Sequence, residues 1–125
     1  MMKSIPVWKQ ELSDGVHAAR LASLYCCAPA ETASEAARYA AVLDGLEKTF
    51  GSHAEAGLYS APGRTEIGGN HTDHQHGRVL AGSVNIDMIA AAAPNDKNQL
   101  RVQSEGYDPV SYTHLRAHET LRHLV

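Results

Sequence analysis

Apolar residues recur at helical spacing through the first fifty positions of the chain and then change to short extended runs. Ile5 to Leu12 and Val16 to Tyr25 read as two short helices broken at Asp14-Gly15, the second with Val16, Leu21, Leu24 and Tyr25 on a packed face. The clearest helix follows. Thr32 and Glu35 have the spacing of a capping box, Ala36, Tyr39, Ala40, Leu43, Leu46 and Phe50 repeat at its period, and Gly51 supplies the stop. Beyond it, Leu58-Tyr59-Ser60-Ala61 is a short β-compatible run that Pro62-Gly63 is expected to end. Val79-Leu80-Ala81 and Val84 to Ala91 read as two further strands. After the turn cluster Pro94 to Asn98, Leu100 to Ser104 alternates apolar with polar, so Ile86–Ala93 and Leu100–Ser104 suggest a hairpin. Helices first and strands later predict an α+β fold.

Composition narrows the function classes. The chain has 125 residues, 43% of them hydrophobic, and a net charge of −3. That is enough apolar material for one core, and the charge leaves no basic footprint for a nucleic acid. No apolar run spans a bilayer, and the start lacks a signal peptide's uninterrupted apolar stretch, so neither a membrane nor secretion is expected. Cys26 and Cys27 stand adjacent and alone, which makes neither a disulfide framework nor a zinc set, and a reduced cytoplasm is the expected compartment.

The chemistry is concentrated between Ala61 and Val79, where nineteen positions hold four glycines, a proline and a dense set of His, Asp and Arg. Burying so many polar groups would cost their hydration, so the stretch reads as an ordered loop presenting donors and acceptors to a small polar ligand. Within Arg64–His76, Arg64 offers a rigid fork for an anion or a hydroxyl pair, Asp73 accepts from neighbouring sugar hydroxyls, and Asn70 and His71 donate or accept. A metal site from His71, Asp73, His74 and His76 has suitable ligand types but takes them all from one short segment. Phosphate binding has the glycines without either established glycine-rich phosphate motif. A polar surface turn with no ligand is the plainest alternative. On residue types alone all four stand open.

The run Ala61-Pro62-Gly63-Arg64-Thr65-Glu66-Ile67-Gly68-Gly69-Asn70-His71-Thr72-Asp73-His74 resembles the galactokinase signature A-P-G-R-V-N-L-I-G-E-H-T-D-Y, and Gly77-Arg78-Val79-Leu80 resembles the turn and strand that follow it. The likeness extends from about Ala33 to Pro109. Asn70 stands where the family has Glu, Thr65-Glu66 for Val-Asn, Gly68 for Ile, His74 for Tyr, and Ser60 for a common Arg. Galactokinases are GHMP small-molecule kinases. The resemblance therefore implies the N-terminal part of a GHMP-kinase fold (ribosomal protein S5 domain 2-like), incomplete here. It also implies a parent enzyme that uses ATP and Mg2+ to phosphorylate galactose at the anomeric hydroxyl. It makes Arg64 the transition-state stabiliser and Arg64, Asn70, His71, Thr72 and Asp73 the substrate-binding set. The family's phosphate loop and catalytic Asp do not occur in these residues, so the chain itself is expected to be inactive. A non-catalytic sugar sensor of the same fold, or a kinase for a related sugar, is the alternative reading.

The end of the chain has another origin on its face. Val110 to Thr120 reads Val-Ser-Tyr-Thr-His-Leu-Arg-Ala-His-Glu-Thr, which resembles translated adapter DNA from sequencing-library preparation. The competing interpretation is a short amphipathic helix with His114 and His118 one turn apart. The expected organisation is thus a helical segment over 1–32, a galactose-binding region over 33–109 and an adapter-derived tail over 110–125.

Overall fold

The computed structural model describes residues 1–69 and 76–112. Three helices, α1 (Ile5–Ser13), α2 (Ala18–Tyr25) and α3 (Ala33–Phe50), precede four strands, β1 (Gly57–Gly68), β2 (Leu80–Ala92), β3 (Leu100–Val102) and β4 (Val110–Tyr112). The α+β expectation holds.

The core lies between the helices and one face of the β1–β2 hairpin. Ile5, Trp8 and Leu12 of α1, Leu21 of α2, Tyr39 and Leu43 of α3 and Ala56 are its buried members, with Leu58, Ile89, Ala91 and Ala93 packed against them. Three and four residues separate the α1 contributions, so they share one face of the helix. The carbonyl of Ala56 ties the layers together: it accepts Trp8 Nε1 at 2.8 Å and the backbone N–H of Lys3 at 3.1 Å. At the rim, Lys9 Nζ spans from α1 to Asp44 (2.6 Å) and Glu47 (2.7 Å) on α3.

Several local expectations are corrected. Residues 14–17 form a turn, with Gly15 at φ 70°, so α2 starts at Ala18 rather than Val16. The Thr32–Glu35 capping box does not form. A 3-10 turn over Pro29–Glu31 runs directly into α3, which puts Thr32 in a right-handed helical conformation. Its Oγ1 donates to Pro29 carbonyl at 2.8 Å, and Glu35 is engaged with Arg38 instead. The C-terminal stop at Gly51 is as expected, with φ 85°.

The strands are longer and paired differently. Pro62-Gly63 does not end β1; the register shifts between Pro62 and Arg64, where Gly63 alone stands against Val84, Asn85 and Ile86 of a bulged β2, and the strand continues to Gly68. A glycine is suited to that bulge, because a Cβ on Gly63 would lie 3.1 Å from the Ile86 carbonyl oxygen. The two strands expected at Val79–Ala81 and Val84–Ala91 are one, β2, antiparallel to β1 from Gly57↔Ala92 to Gly68↔Leu80. β2 does not pair with Leu100–Ser104. β1 already occupies one edge of β2 over its length, and β3 pairs with β4 through Leu100↔Tyr112 and Val102↔Val110. β4 thus falls within the segment assigned to the tail.

Candidate functional site

Alternation along β1 and β2 divides the hairpin into two faces. Leu58, Ser60, Asp87, Ile89 and Ala91 lie towards the helices, whereas Tyr59, Ile86 and Met88 are exposed on the other side. Arg64, expected in a loop, sits within β1 opposite Ser83. The strand continues past it because Thr65, Glu66 and Gly68 find partners in Gly82, Ala81 and Leu80. Its side chain is 62% exposed, and Nη2 donates to Glu66 Oε1 at 3.2 Å. Such an open pair contributes little to stability, which leaves the arginine available to an anion.

Four residues of strand, about 13 Å of chain, lead from Arg64 to Gly68, where the loop departs. Gly69 begins it at φ 95°, and a Cβ there would lie 2.8 Å from Val79 Cα and closer still to the Arg78 carbonyl oxygen. Only glycine lets the two limbs approach this closely. Asn70, His71, Thr72, Asp73 and His74 lie outside the described residues, as do His114 and His118. Of the four side chains in the metal reading only His76 is described; it is exposed and takes a left-handed conformation, φ 63°. Among the described residues no three His, Cys, Asp or Glu side chains gather to hold a metal, and no helix is long and apolar enough to cross a membrane.

The most developed polar constellation was not foreseen. The Asp87 side chain, 4% exposed, sits beneath the hairpin where β2, α2 and α3 meet. Its Oδ2 accepts Tyr25 Oη and Ser60 Oγ, each at 2.6 Å, and its Oδ1 accepts Arg38 Nη2 at 2.9 Å. Tyr25 has one proton, which goes to the carboxylate, so Tyr39 donates to Tyr25 across their 3.0 Å contact. Arg38 also binds Glu35 on its own helix and lies 5.9 Å from the Tyr25 ring centre. Burial alone would raise the Asp87 pKa, but the hydrogen bonds from Ser60, Tyr25 and Arg38 outweigh it and hold the carboxyl below its ordinary value. Burial, then the bonds to Asp87 and Tyr39, push the Tyr25 phenol up; the Asp87 and Glu35 bonds push Arg38 up. The group is therefore an ionised carboxylate with fixed donors. A signal was present in the sequence: Asp87 interrupts the otherwise mostly apolar run Val84–Ala91, and a charge on such a strand needs partners.

Comparison with known proteins bears on the same region. Residues 46–94, from the end of α3 through the hairpin, match the galactokinase galactose-binding signature. The chain is 33% identical over 69 residues to the galactokinase of Lacticaseibacillus casei strain BL23, covering 55% of this chain and 18% of that protein. Similar segments occur in the galactokinases of Ligilactobacillus salivarius (34% over 65 residues, 52% of this chain and 16% of that protein) and Streptococcus mutans (32% over 76 residues, 61% and 18%). The chain thus spans less than a fifth of the length of these relatives. No solved structure matches it.

Proposed function

We propose that this chain is the galactose-binding, N-terminal part of a galactokinase. The observation that carries the reading is the signature over residues 46–94, which takes in both Arg64 on β1 and the His71-Thr72-Asp73 run after it. In this reading the helices and hairpin are the first part of a GHMP-kinase fold. Asp73 accepts paired hydrogen bonds from adjacent sugar hydroxyls, and His71 and Asn70 bind further ones. Asn70, neutral where the family has Glu, binds as an amide rather than as a charge. Thr72 completes the substrate-binding set. Arg64 stands ready to stabilise charge developing on a phosphoryl group in transfer, a reaction helped mainly by positioning and by fixed positive charge.

ATP and Mg2+ do not fit the residues described. α1, α2 and α3 begin after Ser4, His17 and Thr32, none of them behind a glycine-rich loop, and no metal-holding cluster is present among the described residues. ATP and the metal are accordingly assigned to the rest of a galactokinase-length protein, and no step is derived through them here. The expected behaviour of the 125-residue chain is sugar binding without turnover, since both substrates must be held together for the reaction to gain its rate.

The test is a galactose titration of the 125-residue chain followed by NMR, beside a coupled assay for galactose phosphorylation. Galactose is expected to shift the Arg64–Gly69 resonances with no phosphorylation, and Asp73→Ala is expected to abolish those shifts, because the hydroxyls lose their charged acceptor. Absence of any response to galactose, or an unchanged response in Asp73→Ala, would overturn the reading.

A further inference from the structure

The backbone ladder of the hairpin is weakest just before Arg64. Pro62 faces Asp87 and has no N–H to donate, and the register then slips before pairing resumes at Arg64↔Ser83. At this interruption a side-chain bond takes over: Ser60 Oγ reaches Asp87 Oδ2 at 2.6 Å across the two strands. The same carboxylate is held from below by Tyr25 of α2 and Arg38 of α3. Ser60 is four residues before Arg64 in one continuous strand.

We propose that Asp87 is a positioning residue for Arg64. Its buried carboxylate, fixed to the helices by Tyr25 and Arg38, takes the Ser60 hydroxyl and so aims the strand that carries the arginine. This rests on the galactose-binding reading above and adds to it a residue outside the signature's polar run. A ribbon of two strands has little stiffness of its own. With the node intact, the hairpin leaves the helical layer at a fixed angle; without it, the ribbon pivots at the bulge and Arg64 is no longer held in one direction relative to that layer. Asp87 touches no substrate in this scheme.

The experiment compares the 125-residue chain with its Ser60→Ala, Asp87→Asn and Asp87→Ala variants by NMR amide exchange and galactose titration. Ser60→Ala removes one donor and keeps the helix side of the node, so it is informative even if Asp87→Ala does not fold. Amides of Arg64–Gly68 are expected to exchange about tenfold faster in Ser60→Ala, with α1 and α3 amides changed less than about twofold, as for a local opening. Asp87→Asn, which keeps an acceptor oxygen, is expected to restore part of the protection lost in Asp87→Ala. Because Arg64 also belongs to the substrate-binding set, galactose affinity is expected to fall severalfold in Ser60→Ala.

A uniform rise across hairpin and helices would overturn the proposal, since it reports global stability only. So would unaltered exchange at Arg64–Gly68, or loosened strands with unaltered galactose affinity. If the unsubstituted chain ignores galactose while the exchange pattern is as expected, the galactose reading fails and the anchoring of the Arg64 strand by Asp87 stands.

Discussion

Near its helix end the β1–β2 hairpin presents Leu58, Ile89 and Ala91 to a core containing Ile5, Leu43 and Tyr39, while beyond the bulge Ile67 and Leu80 are mostly exposed. The same two strands are thus held in two ways. One half is anchored by apolar burial and by the Asp87 node, and the other by its ladder of backbone bonds. Arg64 sits where one regime passes into the other. A group that must meet a ligand gains from this position: it is exposed enough to be reached, and close enough to the anchor to have a defined direction. The largest expected contrast follows from burial. Leu43→Ala, at a side chain with no exposure, is expected to cost about 2–5 kcal/mol through lost transfer energy and a residual cavity. Leu80→Ala is expected to stay within about 0.5 kcal/mol. Urea unfolding followed by Trp8 fluorescence measures both, and equal costs would erase the distinction between the two halves.

Acid offers a finer probe of the anchored half. The folded-state pKa of Asp87 lies below the ordinary 3.8, so its stabilisation is present above that value and is lost as the pH falls through the depressed one. Glu11, bonded to Lys3 and His17, is lowered from 4.5 and acts in the same direction. Stability is therefore expected to be level from neutral pH to about pH 5 and to drop below about pH 4. Asp87→Asn has no carboxylate to protonate, so its urea midpoint is expected to start lower at pH 6 and fall less by pH 3. Two parallel acid limbs would mean that Asp87 is not ionised in its node.

Helices and hairpin were unequally legible in sequence. Apolar spacing located α1, α2 and α3, because a helix buries a periodic stripe that survives in one dimension. Pairing was not legible. Nothing local distinguishes β1 from β3 as the partner of β2, and Pro62-Gly63 carries the same residue types whether it ends a strand or lies opposite a bulge in its partner. Thr32 failed as a cap for a related reason, since its hydroxyl had a nearer acceptor in the 3-10 turn before it. The signature residues were legible as chemistry, and Arg64 was placed among them, but its position within a strand depended on the pairing. Asp87 depended on three elements meeting, Tyr25, Arg38 and Ser60, which lie 62, 49 and 27 residues away along the chain. No window of sequence contains that site.

The smallest expected effect concerns the outer face of the hairpin. Tyr59, Ile86 and Met88 lie on it, the last two 76% and 78% exposed. Because Met88 makes its contribution to water rather than to the core, Met88→Lys is expected to change the urea midpoint by less than about 0.5 kcal/mol in stability. The charge would, however, break up an exposed apolar stretch beside a strand edge, the feature that favours self-association of extended chains. Light scattering during slow heating is therefore expected to rise at a higher temperature in Met88→Lys, with the unfolding transition unmoved. A loss of stability comparable to that of Leu43→Ala would show that Met88 is packed, and that both faces of the hairpin, not one, are anchored.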